Sequence, residues 1–154
     1  GKAFGVNGGD IAADRVIVDY LRETAAFYIY SNPISPGEAA AADKAVSIVD
    51  SSEGEALLTH LRSLRNRFAD GLLALGLETI EGDHPVVPLM VRDTARTRDI
   101  ITRLRAQGIL ATGLNYPVVP EGDQTIRFQI NAEHTAADID QALSALSEIA
   151  SSVA

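Results

Sequence analysis

The sequence contains no cysteine and no tryptophan among its 154 residues. Without cysteine, the chain can form neither a disulfide framework nor a thiolate metal site. Basic residues are also scarce, because 13 Lys and Arg stand against 21 Asp and Glu, which gives a formal net charge of −8. This balance argues against binding to a nucleic-acid backbone, which needs clustered Lys and Arg. One well-placed cation could still hold a small anionic ligand.

Long apolar runs are absent as well. No stretch approaches the ~18 residues that a membrane-spanning helix needs, and the first residues lack the basic-then-apolar order of a signal peptide. We therefore expect no membrane partner and a cytoplasmic location. Because the first residue is Gly rather than Met, we also expect the chain to be a piece of a longer protein.

Several common catalytic motifs are missing too. The sequence has neither G-x-S-x-G nor the phosphate-cradling GxxxxGK[ST]. Its three histidines, His60, His84 and His134, show no metal-ligand spacing. No metal site is predicted.

The residues from about 53 onward show the periodicity of a small α/β unit. Apolar spacing predicts helix–strand–helix–strand–strand–helix, a short sheet covered by helices. The first helix carries a stripe at three- and four-residue steps, made of Leu57, Leu61, Leu64, Phe68, Leu72 and Leu75. In the last strand, "QTIRFQIN", alternation places Ile126, Phe128 and Ile130 on one face.

The first ~50 residues read differently. They predict a short strand, a helix, an extended aromatic segment "FYIYS", and then a connecting helix. Ser35, Pro36 and Glu38 form a helix-start signal with a capping box, and Ser52 with Glu55 forms a second box. We therefore predict a division into residues 1–50 and residues 51–154.

Lys2 is the first candidate for chemistry. It precedes Gly5 and Gly8, which allow close approach of backbone to a ligand, and it lies beside the apolar Phe4 and Val6. An apolar wall lowers a lysine pKa and favours a Schiff-base nucleophile. The competing interpretation is a solvated surface charge.

Arg127 and the pair Ser31–Asn32 are the other candidates. The alternation in the last strand points Arg127 away from the core, so it is either solvated on an edge strand or lines a cleft where it clamps a carboxylate. Ser31 and Asn32 precede a proline as ordinary turn formers do. Alternatively, a hydroxyl there assists the next helix N-terminus in binding phosphate.

Five stretches together resemble the C-terminal part of the α-oxoamine synthases, pyridoxal 5′-phosphate (PLP) enzymes of the aspartate-aminotransferase fold, fold type I. They occur in that family's order, cover essentially the whole chain, and read "GKAFGVNGG", "YIYSNPISPGEAAAA", "HPVVPLMV", "GILATGLNYPVVPEG" and "IRFQINAEHT". The resemblance is closest to the glycine C-acetyltransferase (2-amino-3-ketobutyrate CoA ligase) branch. One departure is Asp10, where the family often has an aromatic residue.

The resemblance implies a role for each candidate residue. Residues 1–50 would be the end of the PLP-binding large domain, and residues 51–154 the C-terminal small α/β domain. Lys2 would be the catalytic Schiff-base lysine, and Arg127 would bind the carboxylate of the amino-acid substrate. Ser31, with Asn32, would contact the cofactor phosphate of the other subunit across a homodimer interface.

The resemblance further implies a PLP-dependent C-acyltransferase. Glycine and acetyl-CoA would give 2-amino-3-oxobutanoate and CoA, and the chain alone would be inactive, since other cofactor-binding residues of the family lie upstream of its lysine. One alternative is another α-oxoamine synthase, of the 8-amino-7-oxononanoate synthase or serine palmitoyltransferase type. A second is a non-catalytic α/β module that binds a small acid or mediates association.

Overall fold

The computed structural model describes residue 2 and residues 4–151, and it divides the chain into two compact units, Gly1–Glu55 and Ala56–Ala154. Each unit is described by itself. The elements in chain order are α1 (Arg15–Thr24), α2 (Ala26–Ile29), α3 (Pro36–Val49), α4 (Ser52–Ala74), β1 (Val86–Met90), α5 (Thr94–Ala106), β2 (Thr112–Leu114), β3 (Thr125–Gln129) and α6 (Ala136–Ser151).

The predicted capping box at the start of α3 is confirmed. The Ser35 hydroxyl accepts a hydrogen bond from the Glu38 backbone N–H at 3.2 Å, and the Glu38 carboxylate accepts one from the Ser35 N–H at 2.8 Å. Pro36 follows the cap, where its missing N–H costs nothing. These contacts fix the start of α3 by local chemistry.

Two predicted extended segments in the first unit are wrong. Residues 8–14 form no strand, and the aromatic segment predicted to be extended begins inside α2. In α2, Ile29 N–H donates to the Ala25 carbonyl at 3.1 Å and Tyr30 N–H donates to the Ala26 carbonyl at 2.9 Å. A β-favouring composition reflects fit to a pleated, paired surface. No partner strand is present in the described part of this unit, so local helical bonds prevail.

The helices α1, α2 and α3 contain no buried residue. Large aromatic side chains stay exposed, among them Phe27 at 91% and Tyr30 at 86%. Capping and backbone hydrogen bonds, rather than a shared apolar core, therefore define the described helices of this unit.

The second unit has the predicted helix–strand–helix–strand–strand–helix order. Its strands form an antiparallel sheet with the order β1-β3-β2. Helices α4, α5 and α6 supply the apolar residues that cover one face of this sheet. The core contains Leu64, Phe68, Leu72, Val87, Leu89, Ile100, Leu104, Ile126, Phe128, Ile139, Leu146 and Ile149.

The apolar stripe of α4 is confirmed over most of its length, with Leu61 and Leu75 partly buried at its two ends. Leu57 is an exception, since it is 42% exposed. The predicted helix start is also shifted by one residue. The Ser51 hydroxyl, not that of Ser52, accepts the hydrogen bond from the Gly54 N–H at 3.3 Å.

A glycine follows the end of each of the helices α4 and α5. Gly76 and Gly108 have φ angles of 70° and 78°, in the left-handed region that favours glycine after a helix. A capping box also begins α6, because the Thr135 hydroxyl accepts from the Asp138 N–H at 3.2 Å and the Asp138 carboxylate accepts from the Thr135 N–H at 2.7 Å.

A substitution at Phe68 tests the packing of this core. Its side chain is fully buried and its ring centroid lies 4.9 Å from that of Phe128. We expect Phe68→Ala to lower the free energy of unfolding by about 3–5 kcal/mol, because it removes buried apolar surface and leaves a cavity. Leu73→Ala on the same helix, at a site 58% exposed, should change it by less than about 0.5 kcal/mol. Urea unfolding followed by circular dichroism measures both, and equal losses would contradict the packing described.

Candidate functional site

Arg127 lies at the centre of the sheet. It belongs to β3, which is the middle strand, and it is opposite Pro88 of β1 and Thr112 of β2. The expectation of an edge strand is therefore wrong, because both neighbouring strands pair with β3. The outward direction of Arg127 is confirmed, since Arg127 is exposed and the next residues on either side, Ile126 and Phe128, are buried.

The face that carries Arg127 is the one that the core does not use. Alternation and strand register place eight residues on this open face: Val86, Pro88, Met90, Thr112, Leu114, Thr125, Arg127 and Gln129. None of these strand residues is acidic, although the chain as a whole carries a formal net charge of −8. A planar guanidinium in such surroundings is suited to bidentate binding of a carboxylate.

Lys2 lies in a turn at the start of the first unit. It is exposed, and its carbonyl accepts a hydrogen bond from the Gly5 N–H at 3.3 Å. Gly5 has a φ of 66°, which favours glycine. The turn therefore presents a primary amine to solvent.

The segment after this turn is attached to α3. Asn7 donates a side-chain hydrogen bond to the Glu38 carboxylate at 2.8 Å. Gly8 has a φ of 94°, and a Cβ there would lie 2.6 Å from Cγ2 of Ile34, so a larger residue would not fit without a shift. The Ser35 backbone hydrogen bond, followed by that of Asn7, lowers the pKa of Glu38 below its usual range.

Ser31 and Asn32 lie after α2 and are exposed. The Ser31 hydroxyl donates to the Phe27 carbonyl one helical turn earlier. The N-terminus of α3 is a poor anion site, because the Ser35 and Glu38 amides are already bonded and the Glu38 carboxylate is placed there. Any phosphate contact of Ser31 must therefore be made by its own hydroxyl and not with the help of that helix end.

The structure does not place all candidates in one unit. Lys2, Ser31 and Asn32 belong to the first unit and Arg127 belongs to the second. Within residue 2 and residues 4–151, no group of three His, Asp or Glu side chains could hold a metal ion. Among the described helices, none is long and apolar enough to cross a membrane.

An ion-pair cluster beside β3 was not predicted from the sequence. The Arg92 guanidinium donates to the Glu78 carboxylate at 2.9 Å and to the Gly122 carbonyl at 3.3 Å, and it lies 3.5 Å from the Asp123 carboxylate. The backbone N–H groups of Val91 and Arg92 both donate to the Gln124 carbonyl at 2.9 Å. Arg92 thus fixes the segment that leads into β3.

The chemistry of this cluster follows from the Arg92 bond to Glu78. That hydrogen bond raises the pKa of Arg92 and lowers the pKa of Glu78. Arg92 also has a φ of 64°, which is uncommon outside glycine. No local spacing signals the cluster, because the partners of Arg92 lie 14 residues before it and 30 and 31 residues after it.

The aminotransferase class I and II family model matches residues 1–146, nearly the whole chain. The chain belongs to the aminotransferase class I and II family. Its candidate residues Lys2, Ser31, Asn32 and Arg127 all lie within the region that matches this family.

Two curated relatives of this chain have the enzyme names that the resemblance led us to expect. An 8-amino-7-oxononanoate synthase from Petrotoga mobilis is 36% identical over 152 residues, which are 99% of this chain and 38% of the relative. A 2-amino-3-ketobutyrate coenzyme A ligase from Escherichia coli K12 is 34% identical over 150 residues, 97% of this chain and 37% of the relative. The resemblance to the α-oxoamine synthases is confirmed, and the chain spans less than two-fifths of these relatives.

A solved structure confirms the fold class. A serine palmitoyltransferase (SPT) with PLP has a TM-score of 0.88 over 99% of this chain and 38% of its own length, at 23% sequence identity. The described fold is therefore that of the C-terminal region of PLP fold-type-I enzymes. The α/β class predicted from periodicity agrees with it.

The Glu78–Arg92 ion pair predicts that the stability of this protein depends on pH. The folded-state pKa of Glu78 is lowered. The contribution of the Glu78 carboxylate to folding stability is therefore fully present above the ordinary carboxyl pKa of about 4.3, and it is lost as the pH falls through the folded-state pKa. We expect Glu78→Gln to reduce stability at pH 7 and to approach the stability of the parent as the pH is lowered to 3. Urea unfolding at both pH values measures this.

Glu121→Gln is the matched control, because Glu121 is exposed in the neighbouring loop and makes none of the contacts of this cluster. It should leave the pH dependence unchanged. A deficit of Glu78→Gln that persists at low pH would argue against the ion pair.

Proposed function

We propose that this chain carries the cofactor lysine and the substrate arginine of a PLP-dependent C-acyltransferase of the α-oxoamine synthase type. The structural observation that carries this proposal is Arg127, an exposed guanidinium at the centre of a sheet face that no acidic strand residue shares. The enzyme names of the curated relatives support the reaction class. In this proposal residues 1–50 complete the cofactor-binding domain and residues 51–154 form the small domain.

The residues present fit PLP. When bound, PLP supplies an aldehyde that a primary amine captures and a ring that withdraws electrons from the Cα of an amino acid. The chain has two lysines, both of them exposed, and Lys2 lies in the glycine-rich turn, whereas Lys44 lies within α3. Ser31 and Asn32 would contact the cofactor phosphate. To do so, the Ser31 hydroxyl would give up its hydrogen bond to the Phe27 carbonyl and donate to a phosphate oxygen instead.

The two charged residues then divide the remaining tasks. Arg127 binds the carboxylate of the amino acid through two parallel hydrogen bonds and so fixes which bond at Cα is oriented for cleavage. The Lys2 Nζ, as a free amine, accepts a proton from Cα and can return a proton to that carbon. Both roles require only groups that the structure shows to be exposed.

Glycine and acetyl-CoA are the substrates in the leading form of the proposal, and the active protein is a homodimer. A second form, an 8-amino-7-oxononanoate synthase, is favoured by the 36% identity to the Petrotoga mobilis enzyme. Initial rates for glycine with acetyl-CoA and for alanine with a seven-carbon acyl-CoA that ends in a carboxylate separate the branches. The leading form requires the highest kcat/KM with glycine and acetyl-CoA.

Lys2 provides the direct test of the cofactor role. We expect Lys2→Ala in the intact protein to abolish turnover and the visible absorbance of bound PLP, whereas Lys44→Ala retains both. Borohydride reduction followed by peptide mass spectrometry should place the phosphopyridoxyl group on Lys2. Label on Lys44, or turnover by the Lys2→Ala protein, would exclude the proposed role.

Arg127 provides the test of the substrate role. Arg127→Lys keeps the charge but loses the bidentate geometry, so we expect KM for the amino acid to rise roughly 10–100-fold with a smaller change in KM for acyl-CoA. Arg62→Lys, at an exposed position of α4, should leave both KM values unchanged. Steady-state kinetics decide between a substrate contact and a general loss of charge.

A further inference from the structure

Thr125 shares the open face of β3 with Arg127 but differs from it in burial. It lies two residues earlier on the strand, so its Cα is about 7 Å from that of Arg127 along the same face. Met90 and Leu114 are its register partners on the two sides. Thr125 is only 8% exposed, whereas Arg127 is exposed.

The Thr125 hydroxyl is buried without a hydrogen-bond partner among the described residues. Leaving a buried hydroxyl unpaired costs free energy of folding. Valine has nearly the same shape, suits a strand equally well and carries no such cost. The hydroxyl is therefore a feature of this position that folding alone does not explain.

A second unpaired polar atom lies at the same end of the sheet. The Oδ1 of Asn115 is also buried without a partner among the described residues. Asn115 directly follows Leu114, which is the register partner of Thr125. Of these two residues, Thr125 is the one that lies on the open face with Arg127.

We infer that Thr125 is a second contact of the substrate carboxylate, beside Arg127. This inference rests on the proposed function. A carboxylate offers about four lone-pair sites, and a bidentate arginine occupies two of them, so the Thr125 Oγ1–H can donate to a third. Hydrogen bonds to charged acceptors are the stronger ones, which explains why the hydroxyl is retained despite its cost in the free protein.

Access to this hydroxyl is provided by Met90, the single methionine of the chain. Met90 is the β1 partner of Thr125 and is partly exposed. Its unbranched thioether side chain has several rotatable bonds and readily changes rotamer. Its movement opens the Thr125 hydroxyl to a ligand held at Arg127.

The test compares Thr125→Val and Thr125→Ser holoenzymes with the parent. Equilibrium constants are measured by absorbance titration with glycine, or alanine if that is the substrate, and with the corresponding amine that lacks the carboxylate. We expect Thr125→Val to weaken amino-acid binding about 5–30-fold, to leave amine binding unchanged and to raise the thermal midpoint of unfolding. Thr125→Ser keeps the hydroxyl and should retain amino-acid affinity.

Thr97→Val is the matched control, because Thr97 is fully buried and its hydroxyl donates to the Asp93 carbonyl at 2.6 Å. It should lower the thermal midpoint and leave amino-acid affinity unchanged. Parent-like amino-acid affinity in Thr125→Val would overturn the inference. An equal loss of amino-acid affinity in Thr125→Val and Thr125→Ser would also overturn it, as would an equal loss of affinity for the amine. Failure of Thr125→Val to fold would overturn it as well.

Arg127→Lys separates this inference from the proposed function. If Arg127→Lys weakens amino-acid binding and Thr125→Val does not, the inference about Thr125 is wrong and the proposed function stands. If Arg127→Lys also has no effect on binding, the proposed substrate site itself is wrong.

Discussion

The pairing of β3 on both sides is the constraint on which the second unit depends. Because β1 and β2 both bond to β3, the strand cannot rotate, and its alternation is fixed. Ile126 and Phe128 fill the core among three helices, and this alone forces Thr125 and Arg127 to the other face. The position of the guanidinium is thus a consequence of core packing and needs no dedicated support.

The first unit rests on a different kind of chemistry. The helices α1, α2 and α3 contain no buried residue, so the order of this unit derives from exposed hydrogen bonds such as the box at Ser35 and the bond from Asn7 to Glu38. Such exposed contacts are individually modest. The turn at Lys2 is therefore held by exposed hydrogen bonds, whereas the face that carries Arg127 is held by a buried core.

The sequence was a good guide to most features that depend on neighbours along the chain. Capping boxes at Ser35 and Thr135, the glycine stop at Gly76 and the alternation around Arg127 were all predictable, because each needs only residues a few positions apart. The central place of β3 and the partners of Arg92 were not, because they depend on contacts between distant segments. The segment "FYIYS" was misread because strand propensity has no effect without a strand to pair with.

The double hydrogen bond to the Gln124 carbonyl has a consequence for variation in length. Val91 and Arg92 hold the chain at the residue just before β3, so an insertion in the preceding loop is taken up before Gln124 is reached. An insertion after Gln124 would shift β3 by one position and exchange its two faces, moving a charged side chain into the core. The loop between β2 and Gln124 can therefore diverge among homologues while the five residues of β3 cannot change in number.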